Sequence, residues 1–125
     1  MIAVDTSSFI AYLSGASGRD VLAVETALAE HQVCLPPAVL SELLSDPRLG
    51  RPLIELLVEL PLLTISDGYW QRVGELRSRV VARRRRAPLA DALVAQSCVD
   101  HEVPLVTRDG DFGSFAKVSS LRIGP

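Results

Sequence analysis

Lysine is almost missing from this 125-residue chain: of its 13 basic residues, Lys117 is the one that is not arginine. Cysteine is nearly as scarce. Cys34 and Cys98 cannot build a disulfide framework, and both lie in apolar runs. They are read as reduced core thiols of a cytoplasmic protein. The two histidines, His31 and His101, fall in polar helix-end contexts, which argues for surface positions and against zinc ligation. Aromatic residues make up only 5% (Phe9, Tyr12, Tyr69, Trp70, Phe112 and Phe115), and they form no recognisable base-stacking platform. No apolar run approaches the roughly 18 residues of a membrane span. The segment Met1–Asp5 lacks a basic stretch and meets a carboxylate at position 5, so a signal peptide is not expected either.

What is present is ordinary globular material, 48% hydrophobic and 22% charged. The length fits one domain over residues 1–125, large enough to bury a core without a metal or disulfide. Short apolar runs at Ile2–Val4, Val33–Leu35, Leu62–Ile65, Leu105–Thr107 and Val118–Ile123 read as strands. Between them lie longer stretches with helical spacing. Thr6-Ser7-Ser8 resembles a helix N-cap, with Phe9, Ile10 and Leu13 as the apolar face. Further helices are expected over about 21–31, from Pro37 to Asp46-Pro47, over 49–60, over 69–84 with Trp70, Val73, Leu76 and Val80 inward, and from Leu89 to about Asp100. Asp109 to Lys117 reads as a loop and a helical turn. Apolar strands alternating with helices predict an α/β fold, a three-layer α/β/α sandwich around a central parallel sheet.

Five acids do not read as solvated surface. Asp5 ends the first strand, and Asp109 follows Val106 with two residues between. Sites in open parallel sheets lie beyond the strands' carboxyl ends, so these carboxylates converge if the two strands are neighbours. Asp111 shares the second of these turns. Glu42 is the one acid in the first turns of its helix, and Asp91 shares a stripe with Ala95 and Cys98 that should face the protein. A helix cap, turn chemistry or an exposed helical glutamate would explain each of these singly. Together they form an all-oxygen carboxylate set suited to Mg²⁺ or Mn²⁺, ions that activate water and steady charge in phosphodiester displacement. Neutralising these five acids would turn the net charge from −2 to +3. The run Arg83, Arg84, Arg85 and Arg86 is then the natural phosphate contact; its alternative is a solvated helix end complementing the dipole.

These segments resemble a PIN domain of the VapC toxin type. "IAVDTSSFIAYL" resembles the family's first motif, "PPAVLSELLS" its second, and "LADALVAQSCVDHEVPLVTRDGDF" its third and fourth. The resemblance implies Asp5, Glu42, Asp91 and Asp109 as catalytic acids, with Asp5, Asp91, Asp109 and Asp111 toward metal. Thr6, Ser7 and Thr107 match supporting hydroxyls. The compressed turn leaves open whether Asp109 or Asp111 is the fourth metal-site acid. It further implies a divalent-metal endoribonuclease acting on RNA, held by a VapB-type antitoxin and usually a homodimer. Surplus leucines place the antitoxin groove between the helices at 38–45 and 49–60, with Leu53 and Leu57 in its wall. Two other readings compete. A non-catalytic PIN-like module binding RNA or protein would not need every acidic motif. Aspartate phosphotransfer on Asp5 would want a second aspartate where Ser7 stands, and a site lysine in place of the late Lys117.

Overall fold

The first strand is all apolar because it runs through the middle of the molecule. The computed structural model describes residues 1–125 and pairs β1 (Ile2–Val4) in parallel with β2 (Val33–Cys34) on one side and β3 (Leu105–Val106) on the other. The register sets Ala3 opposite Cys34 and Leu105, and Val4 opposite Val106. Ala3, Val4, Leu105 and Val106 have no exposed surface, as expected of a sheet covered on both faces.

Two anticipated strands shrink to single bridges, Leu62 against Leu35 and Ile123 against Leu105. Pro61 has no N–H to extend the first ladder and offers only its carbonyl, to Leu35 N–H. The other is held by two bonds, Leu105 N–H to Arg122 O (2.9 Å) and Gly124 N–H to Leu105 O (2.8 Å).

The crossovers are helical: α1 (Thr6–Leu13) and α2 (Arg19–Ala29) between β1 and β2, then α3 (Pro37–Leu44), α4 (Arg51–Glu59), α5 (Tyr69–Ala82) and α6 (Leu89–Asp100) before β3, and finally α7 (Phe112–Ala116). Pro37 and Pro88 sit at helix starts, where a missing N–H costs nothing. The helix α2 begins two residues earlier than expected, at a Gly18 N-cap.

Several side chains sit differently from the sequence expectation. In α5 the buried stripe is Tyr69, Val73, Leu76 and Val80, and Trp70 is 63% exposed. One residue is a 100° step, so only one of two adjacent aromatics can join an i, i+4, i+7 stripe. Tyr69 is the better choice because its hydroxyl donates to Leu93 O (2.7 Å) and accepts from Ser97 Oγ (3.3 Å). Ile10 is also outside, whereas Phe9 is fully buried. Leu57 is core, with no exposed surface, so it cannot wall an open groove. Cys34 and Cys98 are buried free thiols. His31 is exposed, and His101 is half-buried, its Nε2 lying 2.7 Å from Thr64 O.

Candidate active site at the carboxyl edge of the sheet

The site grows from the ends of two neighbouring strands. Asp5 N–H donates to Val106 O at 2.9 Å, so β1 and β3 stay paired to the point where their side chains emerge. Asp5 itself caps α1, as the helix-cap alternative for it allowed and in place of Thr6-Ser7-Ser8: its Oδ2 accepts from Ser7 N (3.4 Å) and Ser7 Oγ (2.8 Å). The same oxygen accepts from Thr107 Oγ1 at 2.9 Å. Two hydroxyls thus hold a carboxylate that is only 6% exposed. Thr6 points elsewhere and donates to Glu42 Oε1 at 2.8 Å, joining α1 to α3.

The loop after β3 is a chain of local bonds. Thr107 Oγ1 accepts from Asp109 N–H (3.0 Å), and Asp109 Oδ1 accepts from Asp111 N–H (2.9 Å). This folds the loop so that both acids face α6. Carboxylate oxygens of Asp91, Asp109 and Asp111 lie within 4.8 Å of one another. Asp5 stands outside this trio, its Oδ2 held by Ser7 and Thr107.

Asp91, in the first turn of α6, is at the centre of the cluster electrostatically. Burial first, and then the charges of Asp109, Asp5, Asp111 and Glu42, together push its carboxyl up to about 6. The other four candidate acids therefore all act on Asp91. Half-buried like charges are tolerated when a cation neutralises them, and an all-carboxylate set with no thiolate or imidazole fits a hard, oxygen-loving divalent ion.

The arginine run leaves α5. Arg83 is the C-cap, and Arg84 takes a left-handed conformation (φ 59°) beyond it. All four side chains are exposed. Arg86 Nη1 lies 3.7 Å from Asp111 Oδ2, so the run reaches the rim of the acid cluster. Sequence reasoning missed one charged group nearby: Asp20, only 7% exposed, which is paired with Arg108. No spacing pattern links residues 88 apart; Arg108's place inside the fourth motif was the one available signal.

The PIN domain family model matches residues 2–118. The chain belongs to this family. As a PIN domain it is similar to curated proteins over nearly its whole length: 26% identity over 129 residues with VapC ribonuclease Mb1587 of Mycobacterium bovis, and the same with ribonuclease VapC11 of Mycobacterium tuberculosis, covering 98% of this chain and 96% of each relative. Solved structures share the PIN-like α/β fold. FitAcB from Neisseria gonorrhoeae superposes with a TM-score of 0.71 at 18% identity, covering 100% of this chain and 97% of that one. The VapBC-5 toxin–antitoxin structure from Mycobacterium tuberculosis gives 0.69 at 19% identity, covering 98% and 95%.

Proposed function

We propose that this PIN domain is a divalent-metal-dependent endoribonuclease and the toxin of a toxin–antitoxin pair, restraining growth by cutting RNA in the cytoplasm. The observation that carries this reading is the mutual approach of Asp91, Asp109 and Asp111, with Asp5 and Glu42 acting on the same centre. The names of the curated relatives, ribonucleases of the VapC type, support the substrate class.

In this reading Asp91, Asp109 and Asp111 hold Mg²⁺ or Mn²⁺, with Asp5 beside them. Both loop acids serve in this reading, since both lie within reach of Asp91. When bound, the ion supplies an activated water and offsets charge on the phosphate. The chain's own residues do the rest. Ser7 and Thr107 fix the Asp5 carboxylate, and Thr6 holds Glu42 facing the cluster, where it orients the attacking water. Arg83 to Arg86 bind the RNA backbone beside the acids, giving affinity without base readout.

The named partner is a VapB-type antitoxin, in keeping with the toxin–antitoxin complexes among the structural neighbours. Its apolar anchor belongs in the groove of about 670 Å³ where Tyr12, Leu28, Leu56 and Leu60 meet between α1, α2 and α4, since Leu57 is closed off. Glu25 and Glu59 on that groove favour a basic flank on the partner. The exposed face carrying Trp70, Val81 and Leu89 is the surface for a homodimer.

Induced expression followed by sequencing of cleaved RNA ends tests the proposal. It predicts growth arrest with new 5′ ends at defined sites, both lost in Glu42→Gln. Arrest without RNA cleavage would reject it.

A further inference from the structure

Asp20 and Arg108 form a contact that the reading above does not use. Arg108 Nε donates to Asp20 Oδ2 at 2.7 Å and Nη2 to Oδ1 at 2.9 Å, a two-pronged pair. Ser8 Oγ of α1 donates to Asp20 Oδ2 at 2.8 Å, and Arg108 Nη2 also reaches Ser17 O at 3.1 Å. Asp20 is buried. One side chain of α2 therefore grips α1 and the loop after β3 together.

Arg108 stands between the two residues that build the acid site. Before it, Thr107 holds Asp5; after it, Asp109 starts the turn that presents Asp111. Its own N–H donates to Ser7 Oγ at 3.3 Å, the hydroxyl that also binds Asp5. Gly18 adds an independent sign that the space is reserved. Its φ is +144°, and a Cβ there would lie 2.6 Å from Asp20 Oδ1 and 3.1 Å from Arg108 Nη2. A side chain would be strained and would push the pair apart.

We propose that Asp20 and Arg108 are positioning residues for the acid site: their ion pair pins the 107–111 loop so that Asp109 and Asp111 meet Asp91. The proposal rests on reading that cluster as a divalent-ion nuclease site. Asp20 is buried but the Arg108 side chain is 39% exposed, so desolvating the carboxylate offsets much of the attraction and the pair contributes little net stability. What it does supply is direction, because a guanidinium fork on a carboxylate fixes distance and angle at once. Groups that orient metal ligands without touching the ion change its affinity by about 10- to 100-fold when removed.

The test compares Arg108→Gln and Arg108→Lys with wild type and with Asp91→Asn. It reads Mn²⁺ affinity by electron paramagnetic resonance, melting by circular dichroism, and RNA cleavage across a Mn²⁺ titration. In Arg108→Gln the Mn²⁺ dissociation constant should rise about tenfold. Its cleavage should be rescued by excess Mn²⁺, which does not rescue Asp91→Asn. Arg108→Lys, with charge but no fork, should fall between. A merely structural pair would lower the melting temperature and leave Mn²⁺ affinity unchanged. If Arg108→Gln melts below the assay temperature, Asp20→Asn/Arg108→Gln, which leaves no unpartnered buried charge, gives the same comparison. Unchanged Mn²⁺ affinity in the folded variants overturns the proposal whatever the cleavage rates. A wild type that binds Mn²⁺ through Asp91 and cuts no RNA removes the nuclease reading, while the affinity shift still decides the positioning role. A wild type that binds no Mn²⁺ removes both.

Discussion

Asp20 and Asp91 occupy similar places in this chain. Each lies in the first turn of a helix, α2 and α6 respectively, and each turns inward. The helix dipole therefore acts on both in the same direction. Yet they titrate in opposite directions. The Arg108 guanidinium holds the Asp20 carboxyl well below the usual carboxylate range, helped by Ser8. Burial and four surrounding acids push Asp91 up to about 6. The dipole cannot explain opposite shifts, so the neighbours must. Asp20 has its cation built into the chain, whereas Asp91 is surrounded by charges of its own sign. The first arrangement is complete as it stands and serves to hold a loop. The second is unfavourable alone and is made favourable by something that brings positive charge.

The sharpest way to break this contrast is to neutralise Asp91. Asp91→Asn should abolish RNA cleavage, because it removes a ligand of the ion that activates water, while the far-ultraviolet circular dichroism stays that of the wild type. Neutralising Asp20 should do the reverse in kind. Asp20→Ala leaves Arg108 and Ser8 without their acceptor, so the melting temperature should drop by several degrees, the largest stability loss of the set.

A smaller effect concerns pH. The folded carboxyl of Asp91 lies near 6, above its ordinary value of 3.8. As pH rises from about 4 to about 6, the unfolded chain gives up this proton first, so this group removes stability across that window and no more above it. Metal-free Asp91→Asn should therefore be more stable than wild type at pH 7 by roughly 1–2 kcal/mol, allowing for the solvent access of a half-buried group. That gain should vanish near pH 3.5. Urea titrations at the two pH values check it, and a gain of equal size at both would contradict the electrostatic account.

The smallest effect should come from the arginine run. Arg85→Gln/Arg86→Gln should raise KM for RNA a few-fold, flatten the salt dependence and leave kcat nearly unchanged. The Arg86–Asp111 contact is long and exposed, and such pairs contribute little to stability.

What could be read from the sequence follows the range of the interactions. The helix α6 has the expected bounds because Pro88 and the apolar run Ala92–Cys98 are local signals. That Asp5 and the loop carrying Asp109 and Asp111 leave the same edge of the sheet followed from strand-end placement, since parallel neighbours present their carboxyl ends together, although Asp5 stays outside the trio of Asp91, Asp109 and Asp111. The Asp20–Arg108 pair was not legible, because specificity for a partner 88 residues away is written only in three dimensions. The choice of Tyr69 over Trp70 was equally hidden: both fit an apolar pattern, and the deciding hydrogen bonds go to Leu93 and Ser97 of α6. Segments 62–65 and 118–123 looked like strands through their β-branched and apolar residues, but neither has a ladder partner beyond one residue.

The central claim is that the cluster around Asp91 works by holding a divalent cation, and metal-dependent cleavage by the purified protein tests it most directly. With Mg²⁺ or Mn²⁺ present, RNA should be cut; EDTA should stop the reaction, added metal should restore it, and Asp91→Asn should stay inactive throughout. Undiminished cleavage in excess EDTA, or wild-type rates from folded Asp91→Asn, would contradict the account.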